Sequence, residues 1–574
     1  MRSSIYGLVF CAAAGVVLAA PPASAQGAPH AGPPLSQAAL HSLFAKIKGV
    51  SPELQELRDN AAADAAASGD SQALASPQVI NGDYNSRPQD EPSIGILKGT
   101  SGGNVRWVVG ANDYAIGGPI GGGLYNSEGV TYFAPFPLLS FTDGTFFFSE
   151  PPGGTGDPSI ASGSTRATAA IPAGKIVPYA ASLAFSDTFC ENGVQVARSF
   201  DNGRSWNRTR VPDFGAVGFP TYWNQGFDCS VFNDKEWIAV DNTGGTHDGR
   251  VYVTWSRFLS DSTNAYQESP IMLAYSDDNA TTFSTPIVIS GTSSFCNNHS
   301  NTLSPLHACN EDQNSTPVVL PNGDLAISFE NGNGAGFTQG FRGQMLVTVF
   351  SPASGTIRGP YQAAALVYDG LADYPFTNDG SRQTFCNSNF RNGVNGSLAA
   401  DGAGTLYLAY FDDKKHAGEF VSGGLPILVG DRSTGYACPA GKVTDADIYV
   451  LRSRDGGLTW SDVTPASGHA NHDQFWPWVA ANGNRVAVVF NDRSGDPNNK
   501  LVDTNLARRS EGGWQTQRIS AFSSNFDNAF FGLGSFAGDY INAAIDSGGG
   551  VHAVWTCVVP GKQDSDICMN NHGD

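Results

Sequence analysis

Ser453-Arg454-Asp455-Gly456-Gly457-Leu458-Thr459-Trp460 and Ser199-Phe200-Asp201-Asn202-Gly203-Arg204-Ser205-Trp206 spell the same octapeptide, S-x-D-x-G-x-[ST]-W, at two distant places in one chain. A third copy, Ser276-x-Asp278-x-Ala280-x-Thr282-Phe283, departs at the glycine and at the aromatic. Each follows a short alternating strand, namely Val194-Gln195-Val196-Ala197, Ile271-Met272-Leu273-Ala274 and Ile448-Tyr449-Val450-Leu451. The residue types suit a stapled hairpin. The aspartate accepts backbone N–H groups across the turn, glycine supplies a positive φ, Ser or Thr adds a local bond, and the aromatic packs beneath. Ser510-Glu511-Gly512-Gly513-Trp514 reads as a remnant of the same device. A calcium loop is the rival reading of these aspartates. It needs more oxygen ligands per loop than the sequence provides.

Outward from the octapeptides the chain repeats. Seven segments share one plan: a polar or acidic turn, a short apolar strand, a second turn, then a strand rich in β-branched and aromatic residues. Their openings are Asp90-Glu91-Pro92-Ser93-Ile94, Asp157-Pro158-Ser159-Ile160, Asp234-Lys235-Glu236-Trp237-Ile238, Ser315-Thr316-Pro317-Val318-Val319, Asn395-Gly396-Ser397-Leu398, Asp473-Gln474-Phe475-Trp476-Pro477 and Asp539-Tyr540-Ile541-Asn542. The second strands include Val251-Tyr252-Val253-Thr254-Trp255 and Leu406-Tyr407-Leu408-Ala409-Tyr410. A four-stranded blade needs roughly 40 to 50 residues, and each unit has room for one blade with long loops. The reading is an all-β, seven-bladed β-propeller over 77–574, with six blades as the alternative count. Two packed sandwiches would not explain the near-regular openings. The last unit has about three strands, and Pro77-Gln78-Val79-Ile80 is placed to supply the fourth and close the ring.

The first 25 residues carry Arg2, an apolar run from Ile5 to Ala20, and Ala23-Ser24-Ala25, the order of a secretory signal cleaved near Ala25. Residues 26–76 read as a short helical lead-in or a flexible segment. Without the signal, 32 of the 33 basic residues remain against 53 acidic ones, and eight of the nine cysteines remain. An even cysteine number in an exported chain points to disulfides, with Cys296–Cys309 and Cys557–Cys568 the expected close pairs. No Cys-x-x-Cys or histidine spacing suggests zinc, so no cofactor is expected, with structural Ca2+ the one metal left open. The acidic balance argues against nucleic acid and anionic lipid as partners. The chain should be a secreted, extracellular or periplasmic monomer without a membrane span.

The octapeptide resembles the Asp-box, or BNR repeat, of sialidase-like β-propellers, and the likeness runs over about residues 85 to 570. Membership implies an exo-glycosidase site at the channel mouth: three arginines clamping a carboxylate, a tyrosine nucleophile activated by a glutamate, and an aspartate as acid/base. Carried onto this chain, the resemblance makes Tyr540 the nucleophile, Glu236 or Glu91 its base, and Asp90 or Asp234 the acid/base. Arg87 and Arg493 become the clamp, although Ser86-Arg87-Pro88 lacks the family's intervening aliphatic residue. Arg257 and Arg382 are the candidates for a third arm. Asp539, Trp237 and Trp476 complete the binding set, with Trp478 as a further ring at a strand start. These positions are singled out because strand starts converge on a propeller's axis, and because glycan sites combine carboxylates with flat rings. Recurrent aspartates also serve as turn caps, and that structural role competes at each of them. Two other functions fit the same fold: a non-catalytic propeller binding glycan or protein, and a polysaccharide lyase using His472 beside Asp473.

Overall fold

The computed structural model describes residues 78–572 apart from 81–87, 101–104, 114–120, 127–130, 133–153, 186–191, 204–205, 215–219, 222–229, 261–265, 297–304, 333–342, 368–383, 393–395, 415–420, 423–424, 427–442 and 532–533. The expected signal and lead-in therefore lie outside the described residues. Among these residues the chain is an all-β propeller, with two short 3₁₀ turns at Ala466–His469 and Phe526–Asn528. Six four-stranded antiparallel sheets are joined by a five-stranded one built on Val231–Val240.

The second strands carry the core. Val251–Ser260, Leu325–Asn331, Leu406–Asp412 and Val551–Cys557 are buried along nearly their whole length. Each is covered on both faces by neighbouring sheets, which is why these segments read as continuous apolar runs rather than as alternating ones. The innermost strands are Gln89–Ile96, Gly154–Ser164, Val231–Val240, Asp312–Val319, Gly396–Ala400, Gln474–Asn482 and Asn542–Ile545. Each packs on the next in chain order, and the last packs on the first.

One hydrogen bond recurs between these strands. Ser93 Oγ accepts from the Ile160 amide at 2.9 Å, and Ser397 Oγ accepts from the Val479 amide at 2.9 Å. Asn542 Oδ1 accepts from the Ile94 amide at 3.4 Å, so the same link ties the last sheet to the first. The ring also closes through the chain itself, because Gln78 and Val79 pair with Met569 and Cys568 as the fourth strand of the last sheet. The expected disulfides Cys296–Cys309 and Cys557–Cys568 are formed.

The octapeptides lie between third and fourth strands, where the expected bonds form. Ser199, Ser276 and Ser453 Oγ accept the amides of Gly203, Ala280 and Gly457 at 2.7, 2.9 and 2.9 Å. Asp455 Oδ1 accepts the Thr459 amide at 2.9 Å, and Trp460 Nε1 donates to the Gly457 carbonyl at 2.8 Å. Ala280 takes a φ of 56° where its counterparts are glycines, so the imperfect copy keeps the turn at some conformational cost.

Candidate functional site

The innermost strands begin with a shared irregularity. Register shifts by a bulge between Asp90 and Ser93, Gly156 and Ser159, Asp234 and Trp237, Gln313 and Thr316, and Phe475 and Trp478. The residue inside each bulge is left-handed: Glu91, Asp157, Lys235, Asn314 and Trp476 have φ between 49° and 57°. None of the five is glycine, so each position stores strain and turns its side chain out of the strand's regular alternation. The bulge also corrects the sequence alignment of the openings. Asp157 is the counterpart of Glu91 and Lys235, not of Asp90 and Asp234.

Three of these residues meet. Lys235 Nζ lies 3.0 Å from Glu91 Oε1, 3.4 Å from Asp157 Oδ2 and 3.1 Å from Asp539 Oδ2, with all four side chains buried. Asn112 Nδ2 donates to Glu91 Oε2 at 2.7 Å and to Asp157 Oδ1 at 3.3 Å. Arg391 grips Asp539 with two nitrogens, Nε at 2.9 Å from Oδ1 and Nη2 on Oδ2. Gln313 Nε2 donates to Asp234 Oδ2 at 2.8 Å, and Asp90 is fully buried at the foot of the bulge that holds Glu91. Gly538 explains the close approach of the last segment: at φ 88°, a Cβ there would stand 2.8 Å from the Glu91 amide nitrogen.

Two groups in this cluster lack what the others have. Both carboxyl oxygens of Glu236 and the hydroxyl of Tyr540 are buried without a hydrogen-bond partner. Tyr540 sits under Lys235, with Nζ 4.7 Å from the ring centroid. Trp237 meets the Tyr540 ring edge-on at 5.3 Å and the Trp478 ring at 4.7 Å. Trp237 and Trp478 belong to non-adjacent sheets, so their contact crosses the ring beside the acids. Both are half-buried.

The electrostatics divide the acids. Burial, reinforced by Asp157, raises Glu91 well above the ordinary carboxylate range, and Lys235 offsets only part of this. Burial and the charge of Asp157 likewise raise Glu236. Burial would raise Asp539 too, but Arg391 and Lys235 outweigh it and hold that carboxyl at about 2. Burial and the surrounding acids Glu91, Asp157, Glu236 and Asp539 push the Tyr540 phenol upward. Burial opposes the charge on Lys235, but the carboxylates around it prevail and raise its pKa. The site thus sets Glu236 and Glu91, whose carboxyls burial pushes upward, beside Asp539, whose carboxyl is held low.

Of the residues expected from sequence, Glu91, Asp234, Glu236, Trp237, Asp539 and Tyr540 are brought to this place. Arg493 is not part of it. Its Nη1 pairs with Asp473 at 3.4 Å, its Nη2 donates to Ser388 Oγ at 2.6 Å, and the rings of Phe385, Phe390 and Phe475 enclose it. It braces the Gln474–Asn482 strand and offers no free clamp. Trp476 is fully buried against Phe526, with ring centroids 5.8 Å apart, as core rather than binding surface. Arg87 and Arg382 lie outside the described residues, and Arg257 pairs opposite Asn233 within its sheet. Arg391 and Asn112 were missed: Asn389-Phe390-Arg391-Asn392 precedes a strand without repeating anything, and Asn112 ends a second strand. Among the described residues no group of acids, histidines and cysteines is arranged to hold a metal ion. No described helix is long and apolar enough to cross a membrane.

No protein-family model matches the chain, and no curated protein does. Solved structures do. A polysaccharide lyase of family PL25, an ulvan lyase, is 11% identical with a TM-score of 0.41, over 85% of this chain and 95% of that one. A Hadza microbial sialidase is 12% identical with a TM-score of 0.38, over 72% and 65%. The α-L-arabinofuranosidase Arb93A of Fusarium graminearum is 10% identical with a TM-score of 0.37, over 69% and 89%. Fold likeness at this distance does not carry function.

Proposed function

We propose that this chain is an exported, monomeric, glycan-directed β-propeller of the Asp-box kind that cleaves a glycosidic bond at the mouth of its channel. We count its five-stranded sheet as a blade of the same ring, which makes seven. The observation that supports the reading is that Glu236 and Tyr540, two buried groups without hydrogen-bond partners among the described residues, stand among acids whose surroundings push their pKa values in opposite directions. Titratable groups pushed apart in this way mark acid/base assignments. Glu236 gives its proton to the leaving glycosidic oxygen. The carboxylates around Lys235 favour the positive charge that develops on the sugar ring. Trp237 and Trp478 offer rings for a pyranose face.

In the retaining route Tyr540 attacks the anomeric carbon as the glycosidic C–O bond breaks and Glu236 protonates the departing oxygen, and the phenolic proton passes to the carboxylate that Glu236 has become. The raised pKa of Tyr540 places that proton loss at the moment of attack rather than before it. The test is turnover of an aryl-glycoside panel, sialosides included, by the purified mature protein. Glu236→Gln should lower kcat by about 10² to 10⁴ on substrates needing leaving-group protonation. Tyr540→Phe should abolish retention, read as the first-formed anomer by NMR. An active wild type whose kcat is untouched by Glu236→Gln would remove the assignment. A wild type inert on every glycoside would remove the enzyme reading and leave the binding propeller.

A further inference from the structure

We infer that the sugar accepted beside Glu236 and Tyr540 carries no acidic substituent, so that uronosides and sialosides are rejected in favour of neutral glycosides. The inference rests on the glycan reading above and concerns the substrate class of that site.

Lys235 has three ammonium protons and three carboxylate neighbours, Glu91, Asp157 and Asp539, at 3.0 to 3.4 Å. No proton is left over for a ligand. Arg391 commits two nitrogens to Asp539 and stacks on Phe536 at 5.2 Å. Arg493 is locked to Asp473 and enclosed by phenylalanines. Thus Lys235, Arg391 and Arg493 are all committed, and a carboxylate clamp depends on charge-assisted bonds. The groups that lack partners are a buried carboxyl and a phenol. Held neutral by burial, both are donors for hydroxyl and ether oxygens. A bound uronate would instead stand beside Asp157, Asp234 and Asp539, all buried, and like charges brought together out of water repel strongly.

The experiment uses aryl glycosides that differ only by CH2OH against COO⁻: glucoside with glucuronide, and galactoside with galacturonide. An arabinofuranoside and a sialoside complete the panel. The expected result is a kcat/KM at least about 100-fold higher for the neutral member of a pair that is turned over. Asp157→Asn should narrow that gap by about tenfold, because one opposing charge is gone. In parallel, the wild-type protein is titrated calorimetrically with neutral and uronate oligosaccharides. Faster turnover or tighter binding of the acidic partner overturns the inference. Tighter binding of the neutral partner without any turnover sustains it while removing the glycosidase reading. Failure to bind or cleave any of these sugars overturns both.

Discussion

Replacing Lys235 by Met keeps the stem and deletes the charge that three buried carboxyls share. The ammonium lies 3.0, 3.4 and 3.1 Å from Glu91, Asp157 and Asp539 and is almost wholly out of water. Removing one partner of a buried ion pair leaves uncompensated charge and costs about 3–5 kcal/mol. At roughly 2.1 cal/mol/K per residue, a domain of about 500 residues has an unfolding entropy of about 1 kcal/mol/K, so Tm should fall by about 3–5 °C at pH 7. The pH dependence identifies the cause. Without Lys235 the Glu91 carboxyl, already raised by burial, rises further, and Asp539 loses one of the two cations that hold it low. The folded variant then holds more protons than its unfolded chain, and its stability falls as pH rises above the ordinary carboxylate range. The gap in Tm between wild type and variant should therefore be widest near pH 7 to 8 and shrink toward pH 4. Calorimetric or fluorescence melts across that range measure it. A Lys235→Met protein that melts with the wild type at pH 7, or whose deficit does not change with pH, would show that the cluster is not held together by this charge.

Two further outcomes follow from other parts of the molecule. Burial raises Asp473 to about 6, against an ordinary 3.8, although Arg493 opposes it. The folded state therefore keeps this proton to higher pH than the unfolded one, and about 3 kcal/mol of stability is lost as pH rises from about 4 to about 6. Asp473→Asn should be less stable overall, having lost acceptors for Arg493, Thr444 and Asn499, yet its deficit relative to wild type should narrow across that window; a constant deficit in pH-resolved denaturation would refute the assignment. Gly538→Ala meets both a positive φ and the Glu91 backbone. It should cost about 1–3 kcal/mol from conformation alone, and activity should fall along with Tm because Asp539 and Tyr540 follow directly; an alanine variant with wild-type Tm would contradict the packing described.

What the sequence disclosed and what it withheld have separate physical causes. The second strands were legible because burial on both faces forces runs such as Val251–Ser260 to be apolar, and the octapeptides because a tight turn accepts few residues. The openings of the innermost strands pointed to Glu91, Glu236, Asp539 and Tyr540, since any propeller gathers its strand starts at one mouth. The bulge was not legible. Each of these strands carries the same bulge, which sets Asp157 level with Glu91 and Lys235, and no local pattern signals a left-handed Glu, Asp, Lys, Asn or Trp. Lys235, on the surface by composition, is instead the hub, because that bulge turns it toward acids contributed by three other sheets and their approaches. Arg391 reaches Asp539 from 148 positions away, through a segment that repeats nothing, and only the closed ring brings the two together. Arg493 misled for the opposite reason. Its place at the end of a second strand suits a clamp, but Phe385 and Phe390, from the same segment that presents Arg391, enclose it. One irregular stretch thus buries one arginine as a brace and delivers the other to the acids, and which arginine does which depends on packing between sheets rather than on spacing within one.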